Sequence, residues 1–214
     1  MTLVVVDYGS GNLRSVAKAC ERAVADAGSA LSVIVSSKAE DVAKADRVIL
    51  PGVGAFADCK SGLTALPGMI EALEQAVLIE KKPFLGICVG MQLLASLGLE
   101  HGRHVGLGWI KGEVRRLDPS DTALKIPHMG WNELIFTPGA HSLLHGLKPG
   151  DHAYFVHSYH FICAQPENRL AHVVYGEEIT ALIGLGNIAG TQFHPEKSQA
   201  NGLKLLGNFL KWTP

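Results

Sequence analysis

The sequence has no excess of either charge. Over 214 residues, 19 Lys plus Arg stand against 20 Asp plus Glu, and neither sign forms a long run. A nucleic-acid backbone or an acidic membrane surface therefore meets no attracting field. Long apolar stretches are also missing, because glycines and charges interrupt every candidate before the ~18 residues a bilayer span needs. The opening "MTLVVVDYG" is too short and too soon acidic for a secretory signal. Cysteine is scarce: Cys20, Cys59, Cys88 and Cys163 show neither tight pairing nor CxxC spacing, so a soluble protein of the reducing cytoplasm is the expectation. Repeats, low-complexity tracts and linkers are absent as well. At this length, with 47% apolar residues, the chain reads as one domain over 1–214.

Within that domain the first half alternates strand-like and helical runs: "TLVVVD", then Leu13 to Ala27, "LSVIVS", a helical turn near "AEDVAKA", and "RVILPG". This is a βαβ rhythm. Pro67 suits the first position of a further helix, "PGMIEALEQAVLIEKK", and "PFLGIC" reads as a buried strand. Nearly continuous apolar strands imply an α/β fold with a mostly parallel central sheet covered by helices. Beyond Gly108 the pattern changes to short alternating runs, "KGEVRRL", "NELIF", "AYFVHSYHFICA", "LAHVVYG" and "ITALIGLGNIAGTQF", which predict added antiparallel strands. The terminal "SQANGLKLLGNFLKW" predicts a buried helix capped by Ser198.

One cysteine stands apart. In "GICVGM", Gly86 and Gly90 flank Cys88 at two residues on either side, the spacing of a sharp strand-to-helix turn that exposes a nucleophile. Such a turn would put Cys88 at the amino end of a helix "VGMQLLASLG", where the dipole favours a thiolate. A lone cysteine is more often a small buried hydrophobe, and Cys20, Cys59 and Cys163 keep that reading. A nucleophile also needs a base. "GTQFHPEKS" offers His194, with Glu196 brought to the same face by the extended backbone that Pro195 favours, able to set the imidazole tautomer.

Acyl transfer also calls for oxyanion donors. The loop "LPGVGAF" after strand "RVIL" offers the amide of Val53, and the residue after the nucleophile offers that of Val89. Gln92, four residues beyond Cys88, projects on the same helix side as a substrate contact. Two other signals carry less. "YGSGNLRS" lacks the third glycine of a dinucleotide turn, and "HGRH" and "HSYH" lack the partners of a zinc site.

Taken together, "DYGSGNLRSV", "PGVGAF", "GICVGMQLL", "HMGWNEL", "YFVHSYH" and "QFHPEKS" resemble the class I, triad-type glutamine amidotransferases. The "DYGSGN" and "HMGWN" segments are similar to the histidine-biosynthesis branch, the glutaminase subunits of imidazole glycerol phosphate synthase. The resemblance implies a flavodoxin-like amidotransferase fold, no metal or organic cofactor, and a Cys88–His194–Glu196 triad that releases ammonia from glutamine through a thioester. It also implies substrate contacts at Gly52, Gly54, Gln92, Ser158 and Tyr159, and an oxyanion hole at Val53 and Val89. The partner it implies is a (β/α)₈-barrel cyclase, met near Asn12, Trp131, Tyr154 and Lys197, which uses the ammonia to make imidazole glycerol phosphate and an aminoimidazole carboxamide ribonucleotide. The rival readings are a glutaminase serving another acceptor, such as pyridoxal phosphate synthase, a cysteine hydrolase of esters or lactones, and a noncatalytic thiol-bearing binding module.

Overall fold

Strands that are apolar at nearly every position need cover on both faces, and the first half of the chain supplies it. In the computed structural model, which describes residues 1–121 and 123–214, β1 (Thr2–Val6), β2 (Ser32–Ser36), β3 (Arg47–Gly52) and β4 (Phe84–Cys88) run parallel. Between them come α1 (Leu13–Asp26), α2 (Ala39–Lys44), α3 (Phe56–Ala65) and α4 (Met69–Glu74), the last running on into a π-helical turn, Gln75–Ile79. Every residue of β3 and β4 is buried, as central strands require. Helix α3 was not evident from its mixed run "FADCKSGLTA", which buries only Phe56, Cys59 and Leu63.

The second half follows as α5 (Val89–Gln92), β5 (Leu97–Gly98), β6 (His104–Val105), β7 (Gly112–Arg116), β8 (His128–Glu133), β9 (His152–His157), β10 (Tyr159–Cys163), β11 (Arg169–Val174), β12 (Glu178–Leu185), β13 (Ile188–Thr191) and α6 (Gln199–Lys211). The main sheet has the order β11-β12-β13-β4-β3-β1-β2. Here β13 joins β4 in parallel, while β12 and β11 extend the edge antiparallel. The expected α/β architecture with antiparallel additions is what forms. A second sheet, β10-β7-β5-β6, and the β8–β9 hairpin stand beside it. No single helix among the described residues is long and apolar enough to cross a membrane.

Three local expectations change. The run "AYFVHSYHFICA" breaks at Ser158, so that β9 pairs with β8 and β10 pairs with β7. Ser158 sits at the crossing, its carbonyl accepting from Leu117 N–H at 2.9 Å. The helix after Cys88 stops at Gln92, because the carbonyls of Leu93, Leu94 and Ala95 accept from Leu107, Ile110 and Gly108 in place of a further helical turn. Ser198 does stand at the start of α6, but its hydroxyl donates to the His194 carbonyl at 2.7 Å and accepts from Tyr154 N–H at 3.0 Å, leaving the helix uncapped by that side chain. Helix α6 buries one face, including Leu205, Leu206 and Phe209, and exposes the other.

Packing around β4 is tightest at its glycines. A Cβ on Gly90 would lie 1.8 Å from the Leu50 carbonyl oxygen, and one on Gly86 would lie 2.6 Å from that of Gly90. Both obstacles are backbone. Gly207 in α6 meets nothing within 4 Å. Gly90→Ala should therefore destabilise the fold by about 3 kcal/mol or more, as overpacking against backbone does. Gly207→Ala should stabilise it by about 0.5–1 kcal/mol through helix propensity. Urea denaturation of the two variants checks the opposite signs.

Candidate active site

Cys88 is the last residue of β4 and holds φ 54° and ψ −111°, a left-handed conformation that a side-chain-bearing residue rarely adopts. The turn is held on both sides. Gly52 at the end of β3 is in register with Cys88, and Thr191 at the end of β13 is in register with Ile87. The loops after β3 and β13 therefore emerge next to the sulfur, at the carboxyl edge of the parallel strands where α/β sheets place their sites. Helix α5 has only four residues, so the dipole argument made for a longer helix weakens and the strained turn itself presents the thiol.

The loop after β13 brings in His194, whose Nδ1 lies 2.8 Å from Glu196 Oε1, with side chains 2% and 1% exposed. The route differs from the one the sequence suggested: His194 is extended, but Pro195–Lys197 forms a 3₁₀ turn that curls the carboxylate back to the ring. The histidine backbone is clamped by Tyr154, whose carbonyl accepts from its N–H at 3.0 Å, and by the Ser198 hydroxyl on its own carbonyl. Nε2 of the ring is enclosed with no hydrogen-bond partner among the described residues. Burial by itself lowers the pKa of this imidazole, but the adjacent Cys88 sulfur and Glu196 carboxylate outweigh it and raise the value to about 10. The arrangement can take a proton from the sulfur and hold it as imidazolium.

A cavity of about 330 Å³ opens over Cys88 and His194, lined also by Val53, Gly54, Val89, Gln92, Ser158, Tyr159 and Lys197. Its size suits a small, amino-acid-sized molecule. Gln92 has both hydrogens of Nε2 engaged, by the Tyr159 carbonyl at 2.9 Å and Gln192 Oε1 at 3.1 Å, so its own carbonyl is the atom left for a ligand N–H. Val89 opens α5, and the first N–H groups of a helix have no partner within it, so its amide is free to serve an oxyanion. Two expected residues behave differently. Gly52 does not line the cavity; it packs beneath the elbow, where a Cβ would meet the Tyr8 hydroxyl at 2.6 Å and Gly90 N at 2.7 Å. Val53 lines it, but its N–H donates to Ser10 Oγ at 3.2 Å while its carbonyl accepts from the same hydroxyl at 2.5 Å. In this conformation the Val53 amide is committed to Ser10 and is not an oxyanion donor.

Local pattern marks no role for Ser10, since only the fold brings "DYGSGN" to the loop after β3. Gln192 and the pair His128 and His157 were also passed over, being buried polar residues within strand-like runs. Of the four residues expected at a partner surface, three form one patch beside the cavity mouth. Trp131, 46% exposed, meets Tyr154 edge-on with ring centroids 5.9 Å apart, and Lys197 Nζ lies 5.7 Å from the Tyr154 ring centroid. Asn12 precedes α1 and accepts from Val16 N–H through its backbone. No hydrogen bond among the described residues ties its side chain to that patch.

This geometry has counterparts in known proteins. Residues 4–212 match the family model described as Glutamine amidotransferase class-I. The chain is 60% identical, over 100% of both sequences, to imidazole glycerol phosphate synthase subunit HisH of Rhodospirillum rubrum, and 54% identical, again over the whole of both, to the subunit of the same name from Cereibacter sphaeroides. Its fold is similar to the glutaminase domain of Trypanosoma brucei CTPS with bound acivicin, at a TM-score of 0.68 and 14% identity over 100% of this chain and 95% of that one. A strained cysteine elbow, a histidine–glutamate pair beside it and a match that runs almost end to end place the chain among the class I glutamine amidotransferases.

Proposed function

We propose that the chain, as one amidotransferase domain over 1–214, is a glutaminase that supplies ammonia to the cyclase of an imidazole glycerol phosphate synthase in histidine biosynthesis, in the cytoplasm. The observation that carries the chemistry is His194, paired to Glu196 at 2.8 Å, sharing one cavity with the Cys88 sulfur. The full-length identity to the two named synthase subunits supports the pathway.

In this reading His194 Nε2 takes the thiol proton as Cys88 Sγ attacks the carboxamide carbon of glutamine. The tetrahedral oxyanion is met by the Val89 amide and, once released from Ser10, by that of Val53. Collapse expels ammonia, protonated at its leaving nitrogen by His194, and leaves a γ-glutamyl thioester. Water, activated by the same imidazole, then releases glutamate and restores the thiol. Gly54, Gln92, Ser158 and Tyr159 line the substrate's place, with Gly52 supporting the elbow from below. The patch of Trp131, Tyr154 and Lys197 fits a docked (β/α)₈-barrel cyclase, with Asn12 assigned to the same face by resemblance. Direct delivery matters because ammonium, the main form in neutral water, has no lone pair with which to attack, and a water-poor passage preserves the reactive amine.

The deciding experiment measures glutamate release from glutamine by the purified chain alone, then with the cyclase and its nucleotide ligand. Stimulation by that cyclase and not by other acceptor enzymes supports the pathway assignment. Stimulation by the pyridoxal phosphate synthase acceptor would transfer it to that branch.

Cys88→Ala should abolish hydrolysis while leaving complex formation with the cyclase intact, as read by gel filtration of the mixture. In His194 the raised pKa means that the imidazolium persists until the pH nears about 10, so the alkaline fall in kcat should lie there. Glu196→Gln removes one of the two raising groups, and the alkaline limb of kcat should move to lower pH by about 1–3 units. Wild type and variant share the substrate's own ionisation, so the difference between the profiles isolates the enzyme group. Ser10→Ala frees the Val53 amide from a hydrogen bond worth about 1 kcal/mol, so basal turnover without the partner should rise by about fivefold; the same assay reads it.

A further inference from the structure

A line of hydrogen bonds that the triad does not use, exposed at its hairpin end and buried where it meets the sulfur, runs from the β8–β9 hairpin to the nucleophile. Asn132 Oδ1 accepts from Glu133 N–H at 2.8 Å, which turns its Nδ2 toward the Val174 carbonyl at 3.0 Å and His128 Nε2 at 3.3 Å. His128 Nδ1 lies 3.0 Å from His157 Nε2, and His157 Nδ1 lies 2.9 Å from the Tyr159 carbonyl oxygen. Gln92 Nε2 donates to that same carbonyl and to Gln192 Oε1, and Gln192 Nε2 reaches Cys88 Sγ at 3.7 Å.

The direction of every bond follows from its ends. Tyr159 O can only accept, so His157 carries its proton on Nδ1 and presents Nε2 as an acceptor. His128 must then donate from Nδ1 and accept at Nε2, which is what the Asn132 amide at the far end also demands. With both rings neutral each member is satisfied: the histidine donors run toward the Tyr159 carbonyl, which also accepts from Gln92, and from Gln92 the donors run on through Gln192 to the sulfur. Burial favours this state, lowering the His128 pKa to about 4, while burial first and neighbouring His128 next lower that of His157 to about 3. His128 is further held between Tyr175 and Phe155, with ring centroids 4.2 and 4.9 Å away. His128, His157, Gln92 and Gln192 are all at most 6% exposed, so no member can turn without leaving a buried group unpaired.

We propose that Gln192 is a further functional residue, a fixed N–H donor to the Cys88 sulfur that favours its thiolate, and that His128 and His157 are positioning residues that hold this donor in place through Tyr159 and Gln92. The proposal rests on the glutaminase reading for its effect on turnover but not for its effect on the thiol.

The test follows Cys88 alkylation by iodoacetamide at neutral pH, read on the Cys88 peptide by mass spectrometry, alongside glutamine turnover by the full chain. Thermal unfolding of each variant shows that it is folded. Gln192→Leu, which keeps bulk and loses the donor, should alkylate about ten- to a hundredfold more slowly, the range for a hydrogen bond to a charged group. Its kcat should fall in parallel while KM stays within about twofold, since Gln192 does not line the cavity. Gln192→Glu, with a carboxylate at the sulfur, should be slower still. His157→Phe should slow alkylation, and His157→Asn, whose Nδ2 stands where Nδ1 donates, should recover much of the loss. Wild-type alkylation in Gln192→Leu, or equal rates in His157→Asn and His157→Phe, would overturn the proposal. A wild type that alkylates readily but does not hydrolyse glutamine even with the cyclase and its nucleotide ligand would refute the glutaminase reading and leave this comparison intact.

Discussion

The structure depends on one constraint, the left-handed backbone of Cys88 wedged between the ends of β3 and β13. That conformation costs on the order of 1–3 kcal/mol and persists only because neighbouring backbone leaves no alternative. Gly86, Gly90 and Gly52 lack side chains so that the strand, the turn and the adjacent loop can touch backbone to backbone. Gly190 allows the same closeness on the other side, where a Cβ would come within 2.4 Å of the Met91 side chain. The elbow is thus a product of the whole sheet, and its short helix adds little.

Around this fixed point the remaining parts arrive by parallel pairing. Because β3, β4 and β13 run in the same direction, their carboxyl ends bring together the glycine loop, the nucleophile and the histidine–glutamate turn, which are far apart in the chain. Glu196 compensates the buried imidazole, and the sulfur and carboxylate together oppose the desolvation that would otherwise keep His194 neutral. Behind them, α6 closes the site. Gly202 lies so near the Pro195 carbonyl that any side chain there would displace the turn carrying Glu196.

Two polar systems meet at the same sulfur. One is the cluster of Cys88, His194 and Glu196, which the proposed mechanism charges. The other is neutral, the line from Asn132 through two histidines to Gln192. They join at the sulfur, to which Gln192 Nε2 donates, so the second can set the environment of the thiol without taking part in proton transfer. Ser10 plays a comparable part at the oxyanion loop, holding both polar groups of Val53 by a single hydroxyl.

Much of this was legible in order along the chain. Buried parallel strands announce themselves as continuous apolar runs, and "RVILPG" and "PFLGIC" fall on β3 and β4 almost to the residue. The G-x-C-x-G spacing and the "HPE" segment point to the strained turn at Cys88 and to the His194–Glu196 pair, because sharp turns and paired side chains are local properties. The break of "AYFVHSYHFICA" at Ser158, the early end of the helix after Cys88 and the turn of the Val53 amide toward Ser10 were not legible. Each is decided by a hydrogen-bond partner distant in sequence, which local pattern does not report. The fold class, the glycine-flanked elbow and the nearness of His194 to Glu196 are all properties of local pattern, and local pattern carries them. The capture of the Val53 amide by Ser10 and the approach of Gln192 to the Cys88 sulfur belong to the tertiary fold, because they rest on contacts between segments about forty and about a hundred residues apart.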